Sequence, residues 1–541
     1  MASNRYHLEI QRRKGRVYGL IRSSFRNQGK VAHKTVGFLS GLDLEQLLMI
    51  QATLQGRTIR ADDSQAPGVS ESKEYGASFA LLELGRQLGL DRLLYSRVSE
   101  PWVKDLLAMI VGRVVYAGSK LALANRWKDT ALWELCGTQG AVKVQDHCYA
   151  PMDRLLQRQR SIERGLIKKH LAGQESLLLY DITSSYVEGQ YSGSQLVLFG
   201  YNRDGKKGHA QVVFGLVCNA QGCPVAVEVF PGNTRDGSTV KAKIEQLRKR
   251  YGVKEVILVG DRGMITPKNF ADLKDQDGLR LISALTHQEV QDLVERKVVQ
   301  MGLFDEKRIA EVVDPADKSI RYCLCRNPES ARRETGTRDA LMKRSAQALN
   351  QIASRRKRAS PERIGAQVGK VLLKTKMGKL IDWKVTEGRL EWRWKQARLN
   401  DERALDGCYI IRTTVQARRM DKQEIVETYK QLALVEQAFR NIKTLQLEVR
   451  PIHHKLDDRI RAHILLCTLA YYLQWHMQKR LQPLFDADAK ESNRFWTIEN
   501  VIERLKSIRR QTITVAGVPC RVISQPDADQ TQILNLLKIK M

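Results

Sequence analysis

The stretch SLLLYDITSSYVEG, residues 176–189, runs four apolar or aromatic residues, Leu177 to Tyr180, straight into Asp181, with Thr183, Ser184 and Ser185 close behind. The run reads as a buried β-strand, where aspartate is disfavoured. A carboxylate carried into a core is costly unless something pairs with it. The partner is a metal ion, a structural arginine or a backbone cap, and the rest of the chain decides among them.

Outward from this strand the pattern continues. GHAQVVFGLVCNAQ (208–221) and CPVAVEVFPGN (223–233) read as two further strands joined at Asn219-Ala220-Gln221-Gly222, so an antiparallel meander is expected. Then come a helix, STVKAKIEQLRKRYG (238–252), a strand, EVILVGD (255–261), a short helix, TPKNFADLKDQ (266–276), and a strand, LRLISAL (279–285). The order βββαβαβ predicts an α/β fold with a ribonuclease-H-like core, a mixed sheet still needing one closing helix.

EVILVGD repeats the opening oddity, an apolar strand that ends at Gly260 and Asp261. In this core the first and fourth strands are neighbours, so Asp181 and Asp261 would face one groove, although either alone also reads as an ordinary strand-end aspartate. Asp236, just before Ser238, reads instead as a helix cap. A third acid lies in VETYKQLALVEQAFRNIKTLQLEVRP (426–451). At about 100° per residue, Leu432, Leu434, Val435, Ala438, Phe439, Ile442 and Leu445 fall on one half of a helix, and Tyr429, Glu436, Arg440 and Lys443 gather on the other. An ion pair of Glu436 with Arg440 is the plainer alternative.

Three carboxylates on two adjacent strands and one helix form an oxygen-donor set for two Mg²⁺ ions, with Mn²⁺ as substitute. Two such ions, about 3.5 to 4 Å apart, serve in-line phosphoryl displacement. On that reading Asp181, Asp261 and Glu436 are both the catalytic residues and the metal ligands.

The chain has 541 residues, room for roughly three or four domains. Ninety Lys and Arg against 60 Asp and Glu leave a net charge of +30, which makes nucleic acid the natural partner. No long apolar run and no apolar signal core appear, so a soluble, intracellular protein without a membrane partner is expected. Nine scattered cysteines fit packed thiols better than a zinc cluster, and His453, His454 and His463 find no completing ligand.

The expected organisation is a small basic β/helix module at 1–75, with a polar linker near 62–72, and a helical DNA-end-binding or dimerisation domain at 76–172. The first part of the core occupies 173–289, a β-rich, basic insertion 290–415, the closing helices 416–480 and a C-terminal region 481–541, where only one helix and a basic tail-like domain are legible. Within the insertion, the run Arg355, Arg356, Lys357 and Arg358 is a candidate DNA contact or simply a solvated face.

YDITSSYVEG, GYNRDGKKGHAQVVFGLVCNAQGCPVAVEVFPGNTRD, VILVGDRGM and YKQLALVEQAFRNIK together resemble the conserved blocks of the DDE transposases of bacterial insertion sequences, in insertion sequence family four and its relatives. The resemblance spans roughly residues 176–480. That group's helix signature, Tyr, two residues, Arg, three residues, Glu, six residues, Lys, maps onto Tyr429, Glu436 and Lys443. Leu432 stands where the Arg is expected, and Arg440 is the cation on the same stripe. The resemblance implies a bacterial, cytoplasmic, nucleoid-associated enzyme that binds inverted-repeat ends, cleaves them and joins the 3′ hydroxyl to target DNA. Its partner is double-stranded DNA, held in a synaptic complex by a homodimer. Some relatives stack a flipped base on an insertion aromatic, for which Trp383, Trp392 and Trp394 are candidates alongside ordinary packing roles. A transposase-derived DNA-binding protein without cleavage, and a metal-dependent nuclease without strand transfer, are the competing readings.

Overall fold

A computed structural model describes residues 6–13, 16–27, 30–55, 68–171, 175–206, 208–235, 255–300, 309–354, 359–445, 447–490, 495–515 and 518–541. The chain packs as two compact units, 1–155 with 473–541, and 156–472.

In the first unit, β1 (Tyr6–Arg13), β2 (Arg16–Asn27) and β3 (Lys30–Leu39) form an antiparallel sheet. The helix Leu44–Leu54 covers it, started by a reciprocal Asp43–Gln46 capping box and buried through Leu47 against Leu8. The stretch expected to be a linker is, from Gly68, a strand, β4 (Gly68–Glu74). The helices Gly76–Gln87 and Pro101–Val115 follow, nearly all of their apolar residues buried.

The second unit is built on one eight-stranded sheet. The core supplies β5 (Glu175–Tyr186), β6 (Gln211–Asn219), β7 (Pro224–Pro231), β8 (Glu255–Gly260) and β9 (Leu279–Ala284). The region 290–415 supplies β10 (Ile309–Val313), β11 (Arg321–Arg326), a hairpin of β12 (Ile381–Thr386) and β13 (Arg389–Trp394), and β14 (Cys408–Thr413). The spatial order is β10-β11-β14-β9-β8-β5-β6-β7. β5, β8 and β9 run parallel, while β6 and β7 form the antiparallel meander. The five strands from β7 to β9 fit a ribonuclease-H-like core. The helix expected at 238–252, with its cap at Asp236, lies outside the described residues.

β6 is buried at every position, as a strand covered on both faces must be. Its Gly215 is required by packing, because a Cβ there would sit 2.5 Å from the Tyr180 hydroxyl. The region 290–415 is not wholly a separate body: β14 pairs with β9, and β11 and β10 extend the same sheet antiparallel. Its distal part has a core of its own, where the helices Pro328–Ala353 and Pro361–Thr375 pack on the β12/β13 hairpin around Leu349, Val368, Leu380 and Ile381.

After the 34-residue helix Asp457–Lys490, the C-terminal region holds the helix Ile498–Lys506, β15 (Arg509–Val515), β16 (Val518–Ile523) and the helix Ala528–Leu536. β15 pairs with β4, so the region folds as part of the first unit. Among the described residues, no helix is long and apolar enough to cross a membrane.

Candidate active site

β5 outruns its parallel neighbour. The last registered pair is Leu179 with Val259, and β8 stops at Gly260. Asp181 and Asp261 therefore stand where β8 peels away and leaves a notch in the sheet. Asp261 opens a tight turn: its carboxylate accepts the Met264 N–H at 2.7 Å and its carbonyl accepts the N–H of Ile265 at 3.0 Å. The turn-aspartate reading is thus correct for one oxygen, and the second remains for the groove. Asp181 accepts the N–H of Ile182 at 2.7 Å.

The third acid arrives on a helix that the sequence pattern draws as continuous and the structure breaks in two places. The helix Lys422–Lys430 begins with an Asp421–Glu424 capping box, Gln431 interrupts it, and the helix Leu432–Arg440 follows. Leu432, Val435, Ala438 and Phe439 are buried, with the Phe439 ring edge-on to Phe214 in β6 at 5.6 Å. Glu436 is exposed on the opposite face. Asn441–Leu445 is then a π-turn, which advances fewer degrees per residue than an α-helix.

That turn corrects the placement of Lys443. It does not share the exposed stripe of Glu436 and Arg440. It is 8% exposed, donates from Nζ to Thr183 Oγ1 at 2.8 Å and pairs with Asp204 at 2.6 Å. Asp204 also pairs with Arg450 and is itself almost fully buried.

Asp181, Asp261 and Glu436 line one cavity of about 320 Å³, together with Tyr429, Lys430, Leu432, Ala433, Tyr409, Asn327 and Ser330. Burial first, and then the neighbouring Asp261 carboxylate, push the Asp181 carboxyl up to about 7, with Glu436 adding to the rise and Arg203 opposing it. Burial and the same acids push the Tyr429 hydroxyl up to about 12, so it stays protonated and able to donate. A carboxyl whose proton affinity is raised by burial and two neighbouring carboxylates, with hard oxygen donors turned into one cavity, fits a divalent cation. Asp181, Asp261 and Glu436 are the residues that would hold it.

The other sequence candidates fall elsewhere. Arg440 is exposed one turn beyond Glu436 and is not among the residues lining this cavity. Trp392 donates to Asn350 Oδ1 at 3.0 Å and meets Trp394 edge-on, both packed on the distal core, while Trp383 is 40% exposed. Arg355, Arg356, Lys357 and Arg358 lie outside the described residues.

Asn327, Ser330, Tyr409 and Lys430 were not singled out in the sequence. The first three come from the region 290–415, whose pairing with β9 brings them to the acids, and nothing local announces that. Lys430 was readable beside Tyr429, but an unbroken helix would turn it away from Glu436.

No curated protein matches the chain. A solved structure of a piggyBac transposase synaptic complex with hairpin DNA aligns over 80% of this chain and 76% of its own, with 8% identity and a TM-score of 0.35, a likeness too weak to fix fold or function. The profile described as transposase DDE domain matches residues 172–473, more than half of the chain and inclusive of all three acids, and the chain belongs to that family of transposases.

Proposed function

We propose that the protein is a cut-and-join transposase of the insertion sequence family four type, cleaving inverted-repeat ends and transferring the resulting 3′ hydroxyl to target DNA. The observation that carries this reading is the convergence of Asp181, Asp261 and Glu436 on one cavity from two parallel strands and a helix. Two Mg²⁺ ions, or Mn²⁺ in their place, supply activation of the attacking water or hydroxyl and stabilisation of the leaving 3′ oxygen.

The chain's own residues do the rest. Asp181 must lose its proton to act as a ligand, and its raised pKa puts that step near neutrality. Tyr429 stays protonated beside the acids and offers its hydroxyl to a phosphate oxygen. Lys430, an exposed cation on the cavity wall, balances the non-bridging oxygens where the family signature's Arg is replaced by Leu432. Lys443 positions Thr183 and the Asp204 segment from inside. The remaining basic surface neutralises the DNA backbone, and a homodimer holds the two ends.

The test uses purified protein, a plasmid carrying the encoding element with its flanks, and a target plasmid. Mg²⁺-dependent excision and joined products, both abolished by EDTA, are expected. Cleavage without joining would favour the nuclease reading, and end binding without cleavage the silent DNA-binding one.

The division of labour around the missing Arg is separately testable. Lys430→Ala is expected to slow cleavage roughly 10- to 150-fold, the worth of one charge-assisted hydrogen bond. Arg440→Ala should stay within about threefold of wild type. The reverse order would return the phosphate contact to Arg440. Binding should also weaken steeply with salt, since many Lys and Arg displace counterions from phosphates. A slope of log K against log salt near zero would remove the backbone-neutralising role.

A further inference from the structure

The region 290–415 reaches the cavity at the point where it leaves the sheet. β11 ends at Arg326 and runs through Asn327 into the helix Pro328–Ala353, and the chain returns through the helix Gln396–Ala404 into β14. Asn327 and Ser330 on the outgoing path and Tyr409 on the returning one line the same cavity as the three acids.

Just beyond them the two paths are clasped together. Arg338 donates to Asp406 through both arms of its guanidinium, Nη1 to Oδ1 at 2.8 Å and Nη2 to Oδ2, and Thr335 Oγ1 donates to the same Oδ2 at 2.7 Å. Glu334 accepts the Gly407 N–H at 2.8 Å, and the Asn327 N–H donates to the Gly407 carbonyl at 2.8 Å. Gly407 has a φ of +69°, and a Cβ there would lie 2.4 Å from the Asn327 carbonyl oxygen, so backbone meets backbone at this crossing. Ser330, Glu334 and Arg338 follow one another at intervals of four on one helix face. The grip at Arg338 therefore sets how Ser330, about 12 Å back along the axis, meets the cavity.

Arg338 and Asp406 are 8% and 6% exposed. A buried ion pair adds little stability over an apolar pair of similar volume, but a bidentate one fixes a geometry. What this one fixes is a set of neutral donors. Ser330 Oγ accepts from Arg333 at 3.2 Å, which leaves its own proton to donate. The Asn327 side-chain oxygen accepts the N–H groups of Glu329 and Ser330, which leaves its amide hydrogens. Burial first, and then Cys325 and Tyr429, hold the Tyr409 hydroxyl above its usual range, so it keeps its proton. Uncharged donors beside three acids suit a ligand whose groups accept hydrogen bonds and carry their own negative charge. The phosphates of a DNA backbone are such groups, and Ser, Asn and Tyr side chains are ordinary partners for them.

We propose that Asn327, Ser330 and Tyr409 bind the DNA backbone beside the phosphate being cut, and that Arg338 and Asp406 are the positioning residues that hold them there. This rests on the transposase reading above.

The experiment measures single-turnover cleavage with full-length protein in excess over the plasmid carrying the encoding element, in Mg²⁺, so that a slower step is read apart from weaker binding. Asp406→Asn, which keeps shape and loses the charge, and Ser330→Ala/Tyr409→Phe, which removes two donors without touching the clasp, are each expected to slow cleavage about 30-fold, with DNA affinity within about threefold of wild type. Combined, they should slow it no more than about 50-fold, far short of the roughly 900-fold that independent losses would give, because the clasp acts through the donors. Asp406→Glu, which restores the charge, should recover part of the rate. Should Asp406→Asn not fold, Arg338→Lys, which keeps the charge and loses the planar fork, is combined with the donor variant and read in the same way. Losses that multiply would make the ion pair a support of the fold alone and overturn its positioning role. A donor variant within threefold of wild type would overturn the backbone contact. Absence of cleavage by wild type would instead overturn the transposase reading, and this inference with it.

Discussion

Asp181→Asn, Asp261→Asn and Glu436→Gln are each expected to lower cleavage at least about a thousandfold while leaving DNA binding within about threefold of wild type. The three side chains meet in one cavity although they are separated by 80 and 175 residues of chain, and each substitution keeps shape while removing one anionic oxygen ligand. Binding rests on a distributed surface of cations, so removing one negative charge should not weaken it. The losses should also be non-additive, because groups acting as one unit cannot be lost twice: the double variant Asp181→Asn/Glu436→Gln should be little worse than either single one. Paired gel-shift and cleavage measurements on the same DNA read this directly. Cleavage within tenfold of wild type in any of the three removes that residue from the site.

A second large effect concerns the metal-free protein, whose fold carries a carboxyl raised from 3.8 to about 7. A raised folded-state pKa means that protonation favours the fold. The favourable contribution is full below pH 3.8, and it disappears as pH climbs through 7. A shift of this size corresponds to on the order of 4 kcal/mol, so with EDTA the unit 156–472 should be measurably weaker at pH 8 than at pH 5 from this source. Asp181→Asn removes the charge and should raise the EDTA-treated melting temperature at pH 8 by about 5 °C. Adding Mn²⁺ should stabilise wild type and have little effect on the variant, since the cation relieves the same repulsion. Scanning calorimetry at pH 5 and pH 8, with EDTA and with Mn²⁺, reads both. An Asp181→Asn protein no more stable than wild type at pH 8 would show that the acids do not strain one another.

The adjacency of β5 and β8, and the two aspartates they bring to one cavity, were legible because their signals are local. Leu177 to Tyr180 and Val256 to Val259 are apolar runs that stop at an aspartate, and the βββαβαβ order makes those strands neighbours. Glu436 was legible through helical periodicity, which holds from Leu432 to Arg440 and fails at the π-turn after it. Lys443 therefore looked exposed and is buried. What stayed illegible is what distant pairing decides. β14 joins β9 across more than a hundred residues and carries Tyr409 to the acids, and β4 joins β15 across more than four hundred. The polar GVSESKE sequence of β4 has no apolar alternation to mark it as a strand. Of the two aromatics in FGYNRD only Tyr201 lies within a quoted family block, and no local pattern announces that both are exposed.

The central claim is that Asp181, Asp261 and Glu436 together hold divalent cations. Anomalous diffraction from crystals of a protein–DNA complex soaked in Mn²⁺ tests it without recourse to activity. The account predicts two peaks about 3.5 to 4 Å apart in the cavity between β5, the end of β8 and the helix Leu432–Arg440, each about 2.0 to 2.2 Å from carboxylate oxygens of these residues. A cavity without anomalous density, or peaks held by other side chains while these three face elsewhere, would contradict it.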